Sequence, residues 1–91
     1  MSREIVWTSQ FKRDYKTAEK RGLPISLLDD CIRLLSSKME LPPHYRDHEL
    51  SGKWKGHREC HIRGDWLLIY RVAGNDLILV LSRTGSHSDL F

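Results

Sequence analysis

The chain has 91 residues, of which 40% are hydrophobic and 30% are charged, and its formal net charge is +3. This length allows one modest core, is too small for a catalytic domain plus a regulatory one, and leaves no room for a cofactor-binding fold. No apolar run approaches the roughly 20 residues that span a bilayer, and we see no signal peptide. We therefore expect one cytoplasmic domain over residues 1–91, without a cofactor or a membrane partner.

The positive charge is concentrated in the C-terminal half. Residues 51–91 carry six Lys/Arg against four Asp/Glu. Three of the five histidines also lie there. This distribution favours a polyanionic partner, although a basic balance alone is weak evidence for one.

The N-terminal half predicts a short strand and two helices. Residues 4–7 include β-branched and aromatic side chains, which favour a strand. Thr8 or Ser9 is a suitable N-cap for a first helix that ends near Pro24. Apolar residues at helical spacing predict a second helix from about residue 26 to residue 39. Its broad apolar stripe indicates packing on a sheet and on the first helix.

The rest of the chain predicts strands. Residues 57–63 alternate in polarity, residues 64–65 indicate a two-residue hairpin turn, and the apolar runs 66–72 and 77–81 predict two central strands. The order of strand, two helices and then three or four antiparallel strands is that of an α+β domain. Both helices would pack on one face of the sheet, which leaves the other face free for function.

The hairpins decide which side chains meet on that free face. A two-residue turn pairs Arg63 with Trp66 and His61 with Leu68. Arg83 would then lie opposite Trp66 or Leu68 and share the His61 face, provided that the next loop is even in length or a bulge compensates. An Arg83 buried against the helices would contradict this arrangement.

The two cysteines predict neither a metal site nor a necessary disulfide. Cys60 lies between Glu59 and His61, so its side chain points away from theirs. Cys31 falls in the second predicted helix. We expect two reduced, mostly buried thiols, with a disulfide as the alternative. No chelating spacing is present, which makes a metal site improbable.

Three ordered motifs resemble a known family. They are DHELSGKWKGHR at residues 47–58, HIRGDWLLIY at 61–70 and RTGSH at 83–87. Together they resemble the YafQ-like branch of the RelE/ParE toxin superfamily over nearly the whole chain. The resemblance implies a RelE-like, microbial ribonuclease-like α+β domain. It also implies the toxin of a type II toxin–antitoxin pair that cleaves mRNA in the ribosomal A site.

The same resemblance implies partners and site residues. The partners would be a cognate antitoxin protein of the DinJ type, mRNA, and the 70S ribosome with its rRNA. The functional residues of the family fall on His48, His61, Asp65, Trp66, Arg83, His87 and Phe91.

Metal-independent cleavage of RNA needs a base for the ribose 2′-OH, a cation for the charged phosphorane and an acid for the leaving oxygen. We assign His87 as the general acid, Asp65 or His61 as the general base, and Arg83 as the transition-state clamp. His48 would orient a partner or exchange a proton with it. Asp65 is a poor base at its usual pKa of about 3.9 unless its site is desolvated.

Other residues would bind RNA or serve the fold. Trp66 and Phe91 would stack on unpaired bases, although Trp66 is equally suited to the core. Arg83 could instead form a structural ion pair with Asp65. A basic set around the glycine-bounded loop would contact message or ribosomal RNA phosphates: Lys53, Lys55, Arg58 and Arg63.

Two other functions are alternatives. One is a ParE-like toxin that inhibits a topoisomerase, which has no need of an acid, a base and a phosphate clamp. The other is a non-catalytic nucleic-acid-binding module of the same fold. In such a module His87→Ala would leave the activity intact, whereas an enzyme would lose roughly 10²- to 10⁴-fold.

Overall fold

A computed structural model describes residues 2–91, and this part of the chain contains five strands and three α-helices. In chain order the elements are β1 (Glu4–Trp7), α1 (Ser9–Lys20), α2 (Ile25–Ser36), β2 (His48–Glu49), β3 (Arg58–Arg63), β4 (Trp66–Ala73), β5 (Ile78–Gly85) and α3 (His87–Leu90). The predicted α+β class and the order of the elements are confirmed.

The strands form one five-stranded sheet in the order β1-β5-β4-β3-β2. β1 pairs in parallel with β5, with Glu4 opposite Ile78, and the other neighbours are antiparallel. The prediction of an antiparallel sheet of three or four strands therefore missed that β1 joins the same sheet as a parallel fifth strand. A strand as short as β1 does not reveal in its own residues that its partner lies near the other end of the chain.

The helix boundaries follow from their caps. The Thr8 hydroxyl accepts a hydrogen bond from the Phe11 N–H at 3.1 Å, which confirms the predicted N-cap of α1. α2 ends earlier than expected because Lys38 is in the left-handed region, with φ of 59°, and the Met39 N–H donates to the Leu34 carbonyl at 3.0 Å. No helix within residues 2–91 is long and apolar enough to cross a membrane.

The main core lies between the helices and one face of the sheet. It includes Phe11 and Leu28 from the helices and Leu68 and Tyr70 from β4. Cys31 and Cys60 are fully buried in it, unbridged, with their Sγ atoms 3.5 Å apart. The hydrogen bond between them and their burial raise the pKa of the Cys60 thiol. The expectation of two reduced, buried thiols matches this arrangement.

A smaller apolar cluster covers part of the opposite face. Leu67 and Ile69 of β4 are fully buried there beneath Leu90 of α3, and Leu50 and Trp54 pack against them. The face that was expected to be free is thus partly closed. The packing of Leu90 fixes the position of the C-terminal helix on this face.

The β3–β4 hairpin contains a bulge. Arg63 pairs with Trp66 across the expected two-residue turn. The register shifts between His61 and Arg63, so that His61 lies opposite Leu67 and the predicted partner Leu68 is wrong. The bulge therefore turns the His61 side chain to the face of Leu67, away from that of Trp66.

The β4–β5 hairpin is also bulged. Ala73 pairs with Ile78 across an even, four-residue loop, as the site model required. A register shift further along then places Arg83 opposite Ile69, instead of opposite Trp66 or Leu68. Because each hairpin shifts by one residue, the strand register leaves His61 and Arg83 on the same face of the sheet. The guanidinium of Arg83 nevertheless turns to Asp14 of α1, on the side of the helices, which departs from the expected arrangement.

Candidate active site

The centre of the candidate site is a carboxylate that was not among the predicted functional residues. Glu59 lies in β3, and only 4% of its surface is exposed. Its carboxylate oxygens are 3.7 Å from His48 Nε2, 3.8 Å from His61 Nε2 and 3.8 Å from His87 Nε2. Three side chains that can carry positive charge therefore surround one buried acid.

Strand pairing and local packing bring this cluster together. His48 in β2 is the direct cross-strand neighbour of Glu59, and His61 follows Glu59 by two residues on the same face of β3. His87 is the first residue of α3, which is held on this face by Leu90. The three predicted histidines therefore meet in one place, although they come from three different elements.

Asp65 holds the His87 ring. Its Oδ1 accepts hydrogen bonds from the His87 Nδ1–H and, at 3.2 Å, from the His87 backbone N–H. These bonds hold the pKa of Asp65 below its ordinary value. Asp65 is therefore an ionised acceptor, which fixes the proton on Nδ1 and turns Nε2 toward Glu59. The same bonds make Asp65 a weak candidate for the general base.

A second set of contacts anchors the turn that carries His87. The Ser86 hydroxyl accepts from the Asp89 N–H at 3.2 Å, and the Asp89 carboxylate accepts from the Ser86 N–H at 2.9 Å. Arg21, at the end of α1, donates to Asp89 at 2.8 Å. Arg21 and Ser86 hold the pKa of Asp89 well below its usual range. His87 is thus positioned by α1 as well as by the sheet.

Arg83 binds a carboxylate from α1. Its Nε and Nη2 lie 2.9 and 3.0 Å from the two carboxylate oxygens of Asp14, which also accepts from the Thr84 N–H at 3.2 Å. The hydrogen bonds to Asp14 raise the pKa of Arg83. The alternative of an ion pair between Arg83 and Asp65 is wrong, because the carboxylate that Arg83 binds comes from the helix.

The two aromatic residues that were expected to stack on RNA differ in exposure. Trp66 is 5% exposed on the helix-packed face, and its Nε1–H donates to the Thr84 hydroxyl at 2.9 Å. Trp66 therefore belongs to the core, and the expectation that it stacks on a base beside the histidines is corrected. Phe91 is 57% exposed, with its ring centroid 5.9 Å from that of His87. Phe91 is therefore accessible beside the site.

The predicted basic set is divided. Lys53 and Lys55 are exposed on the loop before β3. Arg58 lies on the opposite sheet face from the histidines, where it donates to Asp47 at 3.0 Å. Arg58 therefore does not adjoin the histidines as expected, because the alternation along β3 turns it to the other face; its contact with RNA stays a prediction. Arg63 is exposed at the β3–β4 turn and faces α1.

Two residues of this arrangement were absent from the predicted site. The signal for Glu59 was present in the sequence, because it alternates with His57 and His61 on one strand face. A carboxylate between histidines on such a face is a candidate proton partner. Asp14 had no local signal, since its contact with Arg83 depends on how α1 docks on the sheet.

The cluster is suited to proton transfer. The ring centroids of His61 and His87 are 6.2 Å apart, with Glu59 beneath them. Two imidazoles at this separation can act on opposite sides of one bound group. Within residues 2–91, no set of three or more His, Cys, Asp or Glu side chains is arranged to hold a metal ion.

Comparison with known proteins decides the family. Residues 3–91 match the family described as bacterial toxin of type II toxin–antitoxin system, YafQ. The chain belongs to the YafQ toxin family. This YafQ-family chain is 39% identical over 92 residues to the mRNA interferase toxin YafQ of Escherichia coli strain K12, covering 100% of this chain and 98% of that protein.

Solved structures agree with this assignment. The crystal structure of YafQ from E. coli strain BL21(DE3) has a TM-score of 0.92 at 39% identity and covers 98% of each chain. The toxin in the E. coli DinJ–YafQ toxin–antitoxin complex has a TM-score of 0.89 at 39% identity, covering 100% of this chain and 99% of that one. A metal-bound toxin from Helicobacter pylori has a TM-score of 0.90 at 38% identity and full coverage of both chains. The predicted RelE-like fold and YafQ-like family are confirmed.

Proposed function

We propose that this YafQ-family toxin is an mRNA interferase that cleaves mRNA in the ribosomal A site, without a metal, and thereby inhibits translation. The observation that carries the proposal is the buried Glu59 carboxylate with three histidine Nε2 atoms at 3.7 to 3.8 Å. The E. coli relative that is named an mRNA interferase toxin supports the same activity. Residues 1–91 would then act as one RelE-like toxin domain in the cytoplasm.

The reaction is a transesterification. The ribose 2′-oxygen attacks the phosphorus, the bond from phosphorus to the 5′-oxygen breaks, and the products carry a 2′,3′-cyclic phosphate and a 5′-hydroxyl. His61 takes the proton from the 2′-OH, and His87 gives a proton to the 5′-oxygen. Their ring centroids are 6.2 Å apart, which supports their acting on one bound group.

The two histidines differ in their partners, which assigns their roles. Asp65 accepts the Nδ1–H of His87 and holds the ring so that Nε2 can deliver a proton to the leaving oxygen. The His61 ring has a 3.8 Å contact with Glu59 and no such hydrogen bond among the described residues. His61 is therefore the better base, and Glu59 balances the positive charge that it acquires. His48, on the other oxygen of Glu59, orients that carboxylate.

Arg83 supplies fixed N–H donors for the charged phosphorane. Asp14 occupies its Nε and Nη2, which leaves the N–H groups of Nη1 to donate to a phosphate oxygen. Because the guanidinium is held at two points, it needs little reordering when the substrate binds.

Contacts outside the catalytic groups would hold the RNA and the antitoxin. Phe91 stacks on an unpaired base near the cut, and Lys53 and Lys55 contact phosphates of the message or of rRNA. A DinJ-like antitoxin would cover this surface with an acidic or amphipathic segment. The complex of the E. coli relative with DinJ supports a partner of this kind.

The test is primer extension on a defined message in a purified translation reaction, with and without ribosomes. Wild type is expected to cut at fixed codon positions only when ribosomes are present. His87→Ala should lose roughly 10²- to 10⁴-fold in rate, the usual contribution of a general acid. His44→Ala is the matched control, since His44 is exposed and stacks on Tyr45 outside the cluster.

The outcomes separate the proposed steps. Equal cleavage by His87→Ala would remove its role as the acid. A chelator that binds transition metals but spares Mg²⁺ should leave the cuts unchanged, and their loss would overturn metal independence. No cuts by folded, antitoxin-free wild type would favour the topoisomerase inhibitor or the binding module.

A further inference from the structure

A cavity lies beside the candidate site, between the second half of α1 and the ends of the strands. Its volume is about 410 Å³, and its walls include Thr17, Ala18, Arg63, Asp65, Trp66 and Arg83. This volume is within the range of pockets that bind small molecules in proteins. Two of the wall residues, Asp65 and Arg83, also belong to the candidate active site. The cavity therefore borders the candidate active site at the turn that carries Asp65 and at the end of β5 before His87.

The charges in the walls are balanced. Three arginines and three aspartates line the cavity. Two of the arginines are neutralised by wall residues, since Arg83 binds Asp14 at 2.9 Å and Arg21 binds Asp89 at 2.8 Å. A free phosphate in this cavity would meet as many carboxylates as guanidinium groups. The walls therefore suit an uncharged polar ligand better than an anion.

Two wall groups keep hydrogen-bonding capacity for such a ligand. Arg63 forms no ion pair with any side chain of residues 2–91, so its N–H groups are free donors. Asp65 uses Oδ1 for His87, which leaves Oδ2 as an acceptor. They flank Gly64 in the same tight turn, and the buried residues Ala18 and Trp66 add apolar surface to the cavity walls.

This combination of one donor group, one acceptor and an apolar floor fits the edge and face of a nucleobase. Every base presents both donors and acceptors along its edge, and proteins read such edges with arginine and carboxylate side chains. We propose that the cavity is a subsite for an unpaired nucleobase of the message that flanks the scissile phosphate, with Arg63 and Asp65 Oδ2 contacting its edge. The identity of the ligand as message RNA rests on the proposed function.

The direct test measures binding without cleavage. Dinucleotides with a 2′-O-methyl group have no attacking hydroxyl, so they can be titrated into the ¹⁵N-labelled, antitoxin-free protein. The amides of Thr17 and Thr84 and the indole N–H of Trp66 should shift, whereas the indole N–H of Trp7, on β1, should not. Shifts confined to the Phe91 side of the site would overturn the proposal.

Two variants probe the cavity from different sides. Thr17→Trp should fill it from the exposed surface of α1, and Arg63→Ala removes the free donor. Each should weaken dinucleotide binding by about tenfold or more, the size of one lost base contact. Lys20→Trp and Arg71→Ala are the matched controls, because both positions are exposed and outside the cavity walls. Dispersed spectra and unchanged thermal midpoints establish that each variant is folded.

Cleavage by the same variants distinguishes this proposal from the proposed function. If both hold, Arg63→Ala should still cut on the ribosome but with altered preference at one nucleotide position. Binding that Thr17→Trp abolishes, together with no cleavage by wild type, would retain the subsite and reject the interferase. Normal binding and an unchanged cleavage pattern in both variants would reject the subsite alone.

Discussion

Two nearly buried carboxylates of this molecule, Asp14 and Glu59, have opposite surroundings. Asp14 accepts four hydrogen bonds of 2.9 to 3.2 Å from Arg83, Thr84 and Gln10. Glu59 has three histidine nitrogens at 3.7 to 3.8 Å, longer than hydrogen bonds. The saturated carboxylate fixes a cation and stabilises the fold. The carboxylate with near but unbonded imidazoles can still respond to a proton or a substrate.

Among the changes to these carboxylates, Glu59→Gln should have the largest effect on the rate of cleavage. This change keeps the shape of the side chain but removes the anion that balances the histidines. We expect ribosome-dependent cleavage to fall by roughly 10²-fold or more, with little change in the thermal midpoint. Glu49→Gln is the control, because Glu49 is exposed on the neighbouring strand. A variant with full activity would show that Glu59 is only a structural acid.

Asp14→Ala, unlike Glu59→Gln, should have a clear effect on the stability of the fold. Arg83 would lose both of its hydrogen-bonded oxygens while it stays partly buried, which costs about 1–3 kcal/mol. For a domain of this size, each kcal/mol lowers the melting temperature by about 4–8 °C. Calorimetry can compare it with Asp30→Ala, which removes only an exposed pair with Arg33.

Equal melting temperatures for the two variants would contradict a structural role for Asp14. A double-mutant cycle of Asp14→Ala with Arg83→Ala then isolates their coupling, because the single losses should not add.

The smallest effect concerns acid stability at Asp89. Its pKa is lowered in the folded state by hydrogen bonds from Arg21 and Ser86. The stabilisation is therefore complete above the unfolded pKa of about 3.9 and is lost as the pH falls toward the folded value. Urea unfolding between pH 5 and pH 2 should show a shallower loss of stability for Asp89→Asn than for wild type. Parallel curves would mean that this carboxylate is not linked to folding.

The elements of the fold were predictable because their signals are local. Helical spacing, strand alternation, the Thr8 cap and the turn after Arg63 each depend on a few adjacent residues. The parallel pairing of β1 with β5 and the contact of Asp14 with Arg83 join residues far apart in the chain. No pattern in either partner specifies them, so the sheet order and the anchor of Arg83 required the structure.

The positions of the site residues on the sheet could be predicted only in part, because both hairpins contain a bulge. Each hairpin shifts by one residue, so the predicted cross-strand partners of His61 and Arg83 were wrong, although the two residues keep the same face in the strand register. The sequence did not indicate that the Arg83 guanidinium would bind Asp14 of α1. The bulge in β3 lies between His61 and the residue that pairs with Trp66. It therefore moves His61 to the other face of the sheet and leaves Trp66 where it was. A side chain expected beside the histidines was therefore turned into the core. Bulges of this kind leave no reliable trace in residue type.

The pairing of β1 with β5 also implies an order in which the contacts of the fold form during folding. Consecutive hairpins join the strands β3, β4 and β5, so the contacts between these strands are local in sequence. Local contacts form early in folding. β1 and α1 can join them only after a long loop has closed, which is slow. The cluster of Glu59 with His61 can therefore assemble before Asp14 reaches Arg83. Refolding followed by pulsed hydrogen exchange should show the β3–β4 amides protected first and the amide of Thr84, which donates to Asp14, protected last.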